Sequence, residues 1–203
     1  MIKVYGFRRS GNHLLMASLW QNFQFPEEGR LIYADGLRWY ADGATEAHVP
    51  WAGLFGGHIE YSADEYSPEH AVYIVRHPVD CLYSHWRGFG AGKEIQEHIT
   101  RELIREWRRH VESYSKQQIF LVRYERLATE PLAVLEEMER RFGLQRRQAE
   151  LRPVEGPVGC SPGEGARQKP PLDGRSLYGS RLPQVVRVRF LVVLGPMYMN
   201  YVL

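Results

Sequence analysis

Short apolar runs and longer amphipathic stretches alternate along this chain. Ile2-Lys3-Val4-Tyr5-Gly6 is a brief strand-like run that leads into a helical pattern. In that pattern Leu14, Leu15, Ser18, Leu19 and Asn22 fall on one face, with Trp20 and Phe23 nearby. Ala71-Val72-Tyr73-Ile74-Val75 is continuous, apolar and rich in β-branched residues, as a strand buried on both faces should be. It ends in Arg76-His77-Pro78. Pro78 suits the first turn of a helix, and Asp80 falls in the same turn, where a carboxylate is favoured. From Glu94 to Tyr114, Ile95, Ile99, Leu103, Trp107 and Val111 recur every four residues, which predicts one long amphipathic helix. Ile119 to Arg123 reads as a third buried strand. Thr129 to Phe142 reads as a further helix, closed by Gly143 just past its C-terminus. Strands alternating with helices predict an α/β fold, a three-layer sandwich around a central, mainly parallel sheet.

Two stretches carry no period. The segment 25–57 is rich in glycine and aromatics (Tyr33, Trp39, Tyr40, Trp51, Phe55), and it reads either as a flap over the core or as a wall for a bound substrate. Residues 152–183 are dense in Gly and Pro and carry Arg167, Lys169, Arg175 and Arg181; beside an anion site such a loop reads as a basic lid. The last segment admits two readings. Val186-Arg187-Val188-Arg189 alternates like a strand, while its length suits a helix. The apolar run Phe190 to Leu203 is shorter than the roughly 20 residues of a membrane span and reads as core packing.

Bulk properties narrow the classes. A chain of 203 residues suits a single domain, 1–203. A net charge of +2, with the charges interspersed, gives no reason to expect nucleic acid as a partner. Cys81 and Cys160 are far apart and form no C-x-x-C, which fits a reducing compartment. An opening strand at residue 2 leaves no room for a signal peptide, so a cytoplasmic location is expected. No paired Cys/His spacing suggests a metal site.

The chemistry concentrates at two strand ends. In Phe7-Arg8-Arg9-Ser10-Gly11-Asn12-His13-Leu14-Leu15 the chain turns at glycine from strand into helix, so several backbone N–H groups converge at the positive end of a helix dipole. Arg8 and Arg9 add formal charge, and the turn is suited to phosphate or sulfate. It does not fit G-x-x-x-x-G-K-[ST], because no Lys-Ser or Lys-Thr follows Gly11. An ordinary strand–helix turn capped by Ser10 or Asn12 is the competing reading. At the second strand end Arg76 is placed to fork onto a phosphate, with Ser84 donating from the same side two helical turns on. P-loop phosphotransferases usually end a later strand with a metal-holding Asp, whereas here Arg76 takes that place. A surface arginine paired with a carboxylate is the alternative.

Three pieces together resemble a known family, the sulfotransferases that use 3′-phosphoadenosine 5′-phosphosulfate (PAPS). Phe7-Arg8-Arg9-Ser10-Gly11 resembles their 5′-phosphosulfate loop. Val75-Arg76-His77-Pro78-Val79-Asp80-Cys81-Leu82-Tyr83-Ser84-His85 resembles their 3′-phosphate motif, an arginine ending a strand with a serine eight residues on. Val122-Arg123-Tyr124-Glu125-Arg126-Leu127 resembles their later tyrosine-glutamate-x-leucine segment. Order and spacing agree over residues 1–145. The resemblance implies a P-loop NTPase-like fold, PAPS as co-substrate with adenosine 3′,5′-bisphosphate as product, and a small-molecule or glycan hydroxyl as acceptor.

It also implies roles. Ser10, Gly11, Asn12 and His13 would cradle the 5′-phosphate, with Arg8 beside them. Arg9 stands where the family has a lysine on the oxygen bridging phosphate and sulfate; it keeps the charge but presents a broader fork. Arg76 and Ser84 would bind the 3′-phosphate, and Tyr124 would pack against adenine. His58, eighteen residues before Arg76 and just after Gly56-Gly57, would be the general base. His13, His77 and His85 lie in or beside the motifs as competing imidazoles. The chain departs from the family at three points. Leu14 replaces an adenine-stacking tryptophan, and Gly56 stands where a lysine often precedes the base. Arg167-Gln168-Lys169 only approximates the C-terminal phosphate motif. The rival expectations are a Mg·ATP kinase and an inactive bisphosphate-binding protein.

Overall fold

The computed structural model describes residues 2–25, 32–33, 54–57, 68–115, 117–154 and 176–195. Among the described residues five strands form one parallel sheet: β1 (Ile2–Tyr5), β2 (Ile32–Tyr33), β3 (Leu54–Gly57), β4 (Ala71–Val75) and β5 (Phe120–Arg123), in the order β2-β3-β1-β4-β5. The helices are α1 (Asn12–Asn22), α2 (Pro78–Phe89), α3 (Ile95–His98), α4 (Arg101–Ser115), α5 (Tyr124–Thr129), α6 (Pro131–Phe142) and α7 (Gln184–Leu194). Among the described residues no helix is long and apolar enough to cross a membrane.

Alternation along the central strands builds two cores. Ile2, Val4, Val72 and Ile74 point to one face, where Leu15, Leu19, Leu135 and Met138 of α1 and α6 cover them. Tyr5, Ala71, Tyr73 and Val75 point to the other, against Leu82 of α2, Trp107 of α4 and Phe190 of α7. A sheet covered on both faces makes β4 apolar throughout, as its sequence suggested, and β1 apolar except for Lys3, which is buried with its ammonium over the Tyr5 ring. The expected α/β sandwich is therefore what the chain forms, and every predicted residue on the inner face of α1 is buried: Leu14, Leu15, Ser18, Leu19 and Asn22.

Three expectations need correction. The stretch from Glu94 to Tyr114 is two helices, because the chain breaks at Ile99-Thr100. The Thr100 hydroxyl accepts from the Leu103 N–H (3.2 Å) and starts α4, while Arg189 reaches from α7 to the carbonyls of Gln96 and Ile99 at the end of α3 (2.5 and 2.9 Å). A hydroxyl and a guanidinium thus satisfy the polar groups that the break releases, without interrupting the apolar spacing. Second, β5 lies at the sheet edge and is only partly buried; Val122 faces the core while Leu121 is 55% exposed. Third, the segment 25–57, read without regular structure, supplies β2 and β3 to the sheet; the Val-Arg-Val-Arg run, open between strand and helix, is helical. Val186, Phe190, Val193 and Leu194 of α7 face the core, and Arg187 and Val188 face out.

Parallel pairing brings the C-terminal ends of the central strands together. Tyr5 is level with Gly57 of β3 and Tyr73 of β4, and Val75 is level with Arg123 of β5. The turns that follow β1, β4 and β5 therefore open on one edge of the sheet, the place where open α/β sheets bind ligands.

Candidate functional site

The first turn is held in shape by its own backbone. The Ser10 N–H bonds the Phe7 carbonyl (3.0 Å), and the Leu15 N–H bonds the Gly11 carbonyl (3.0 Å), so the chain reverses and enters α1 within a few residues. Gly11 has φ of 105°, a backbone that side chains rarely adopt, and its missing Cβ also leaves room for the Tyr124 ring. Arg9 takes φ of 69° without being glycine, a mild strain that its surroundings hold in place. Asn12 is buried and donates through Nδ2 to the Gly6 carbonyl (3.1 Å). Gly11 is the residue before α1, and no side chain caps the helix. The reading of an ordinary turn capped by Ser10 or Asn12 is thereby corrected: Ser10 faces the Cys81 thiol (3.5 Å) and Asn12 ties the turn shut.

The second turn locks onto the first. Arg76 donates to the Arg9 carbonyl (3.2 Å), and its guanidinium lies 4.3 Å from the centre of the Tyr124 ring. Arg9 in turn donates through Nε to the Ser84 hydroxyl (3.1 Å), on α2. The Cys81 thiol donates to the Arg8 carbonyl (3.2 Å). Arg8, Arg9, Arg76 and Ser84, dispersed over 77 positions of sequence, thus meet beside the start of α1. Among the described residues no ion pair involves Arg76, though its charge acts on the buried Glu125 carboxyl, and its Nε is buried without a hydrogen-bond partner. A buried N–H donor left in that state is suited to an anionic acceptor.

Sequence reasoning missed the supports. Glu125, inside the Tyr-Glu-x-Leu segment, is buried and accepts from the His77 N–H (2.8 Å); burial pushes its carboxyl above the usual range, against the pull of that N–H. Burial also drives the His77 imidazole down to about 4, against the Asp80 carboxylate and with help from the Arg76 guanidinium. His77 is therefore neutral at pH 7 and packed inside. The Cys81 thiol is pushed up to about 11 by burial, opposed by its contact with Ser10, so it serves as an inert spacer under the turn. The only sequence signal for these supports was their position within the three motif segments.

The remaining expected residues fall as follows. His13 lies half-buried on the first turn of α1, and Arg8 is exposed at the rim. His85, buried on α2, meets His98 through Nδ1 and Nε2 (2.8 Å) and joins α2 to α3. Tyr124 lies between Arg76 and Gly11. His58, Arg167 and Lys169 lie outside the described residues, as do most of 25–57 and of 152–183.

Residues 58–148, a little under half of the chain, match the model of the Sulfotransferase family. That stretch contains the Arg76–Ser84 and Arg123–Leu127 segments; the first turn lies outside it. Among solved structures, the mouse sulfotransferase SULT7A1 complexed with PAP is similar with a TM-score of 0.53 at 17% identity. The match covers 74% of this chain and 59% of that one, so this chain spans less than two thirds of the mouse protein's structure. At that identity the likeness speaks for the fold. No curated protein matches the chain. The family match falls on the second and third motif segments, in agreement with the resemblance seen in the sequence, and the solved structure bears out the α/β fold.

Proposed function

We propose that this chain transfers a sulfuryl group from PAPS to a hydroxyl acceptor, releasing adenosine 3′,5′-bisphosphate. The observation that carries the reading is Arg76. Its Nε is buried without a partner, beside a turn whose helix has no side-chain cap, and this makes two adjoining places for anions.

Ser10, Gly11, Asn12 and His13 cradle the 5′-phosphate, chiefly through the backbone N–H groups of the last three, since the Ser10 N–H holds the Phe7 carbonyl, and Arg76 with Ser84 binds the 3′-phosphate. The acceptor oxygen attacks sulfur in line, and the bond from sulfur to the phosphate oxygen breaks. His58, which follows Gly57 directly in the sequence, takes the acceptor proton through its imidazole. The electron pair of the broken bond goes to the departing phosphate, and Arg9 and Arg8 stabilise that charge. Tyr124 borders the nucleotide, Arg167 and Lys169 add charge from the segment 152–183, and residues 25–57 form the acceptor side. All of this belongs to one domain. The acceptor is a small molecule or a glycan.

Thermal-shift binding of adenosine 3′,5′-bisphosphate, run against AMP and Mg·ATP, tests the reading. A ligand that prefers the folded chain raises the melting temperature. Selective stabilisation by the bisphosphate is expected; stabilisation by Mg·ATP instead overturns the reading in favour of a kinase. His58→Ala then separates transfer from mere binding. The variant is expected to keep bisphosphate affinity and lose turnover, and unchanged turnover removes His58 from the mechanism.

A further inference from the structure

Asp80 is buried on the first turn of α2, yet it does not cap its own helix. Both of its carboxylate oxygens are taken by a distant piece of chain. Oδ1 accepts from the Ser176 hydroxyl and from the Tyr178 N–H (3.1 Å), and Oδ2 accepts from the Leu177 N–H (2.9 Å). Two backbone donors and one hydroxyl converge on a single carboxylate, a charge-assisted set that few neutral side chains can reproduce. The clamp continues along the helix. The Tyr178 ring stacks on Tyr83 at 4.5 Å and 14°, Tyr83 meets Trp86 edge-on, and the Arg181 guanidinium lies over Tyr178 at 5.3 Å. Asp80, Tyr83 and Ser84 occupy positions i, i+3 and i+4, so the clamped surface of α2 adjoins the one that presents the Ser84 hydroxyl to Arg9.

A helix whose first turn is held in this way cannot rotate or fray at the end that follows Arg76. Only two residues, Arg76 and His77, separate β4 from α2, so motion of the helix start moves the arginine with it. The geometry points to Asp80 as a positioning residue: by holding Ser176–Tyr178 against α2 it aligns Ser84 with Arg76, and so sets how strongly the site prefers a nucleotide with a second phosphate. This rests on the reading of Arg76 and Ser84 as the 3′-phosphate site.

The test is Asp80→Asn, in which an amide N–H₂ faces the Leu177 N–H. Calorimetric titration well below the melting temperature measures adenosine 3′,5′-bisphosphate and AMP separately. Bisphosphate affinity is expected to fall about tenfold, the scale on which groups that orient a binding side chain act, while AMP affinity stays unchanged. Equal weakening of both nucleotides, or no weakening in a folded variant, overturns the assignment. Ser176→Ala removes one donor and keeps the two backbone N–H groups, so a smaller loss with the same selectivity is expected. Should Asp80→Asn not fold, Ser176→Ala decides alone, and an unchanged ratio of affinities overturns the role of Asp80. Wild-type protein that binds both nucleotides equally instead overturns the 3′-phosphate reading itself.

Discussion

Two of the strand-to-helix crossings at this site, those after β1 and β4, are made by different means. Between β1 and α1 the chain spends six residues, 6–11, and shapes them through glycine, two left-handed backbones and a tight Phe7–Ser10 hydrogen bond. Between β4 and α2 it spends two, and Pro78 begins the helix at once. The first turn offers N–H groups, whose direction depends on backbone shape. The second offers side chains, chiefly the Arg76 fork and, two turns along, the Ser84 hydroxyl. A backbone-built site fails when its conformation is disturbed, whereas a side-chain-built site fails when a particular group is removed. Substitutions in the two turns should therefore be told apart by whether they damage folding or binding.

The largest effect is expected at Gly11. Alanine there meets both the positive φ and the Tyr124 ring, and the two costs together come to about 4 kcal/mol. For a chain of this size that lowers the melting temperature by about 10 °C, readable by calorimetry. A Gly11→Ala variant that melts like the wild type would show that the turn's shape is not specified by its glycine.

Acid should weaken the second turn. His77 is held down to about 4, below the 6.5 of an unfolded histidine, so the unfolded chain binds the extra proton first. The stabilising contribution is complete above about pH 6.5 and is lost as pH falls toward 4, with a ceiling of about 3 kcal/mol. Glu125 acts with opposite sign, since its raised value means that the folded chain holds a proton longer as pH rises. Urea unfolding measured at pH 7 and pH 4.5, in wild type and His77→Gln, isolates the histidine. An identical pH slope in the two proteins contradicts the assignment.

Arg76→Ala should leave the fold far closer to intact than Gly11→Ala does. It should cost bisphosphate binding about 2 kcal/mol, roughly thirtyfold, with Arg76→Lys restoring only part because an ammonium lacks the fork. Loss of folding in place of affinity would erase the distinction between the two turns. Ser84→Ala is the mildest change. Removing the hydroxyl that Arg9 contacts should weaken bisphosphate by about 1 kcal/mol, close to fivefold, with little effect on melting. A loss as large as that of Arg76→Ala would make the hydroxyl, and not the guanidinium, the main group at this end.

Both turns were legible because each is a local pattern. Gly11 before a helical face and Arg76 at the end of an apolar run need no knowledge of neighbours, and helical spacing alone aligns Ser84 with the strand end. Spacing misled at Ile99-Thr100, where apolar residues four apart continue across a break that Thr100 and Arg189 stabilise. The same arginine explains why Val186 to Arg189 read two ways: its partner lies some 90 residues earlier, invisible to any local count. Asp80 carried a local reading, a carboxylate favoured by its helix dipole, while its actual partners are Ser176, Leu177 and Tyr178.

By itself, then, the sequence determined the strands β1 and β4, the helices that follow them, which faces of these are apolar, and the two strand ends where glycine and arginine stand. These follow from periodicity and from the few residues able to adopt particular backbone shapes. Tertiary structure alone decided that β1 lies between β3 and β4, and so that Arg76 reaches the Arg9 carbonyl and Arg9 reaches Ser84. It also decided that Glu125, Cys81 and Asp80 brace the site from beneath. The physical reason is that burying both faces of a sheet selects the order of its strands, and that order brings together residues that local spacing leaves far apart.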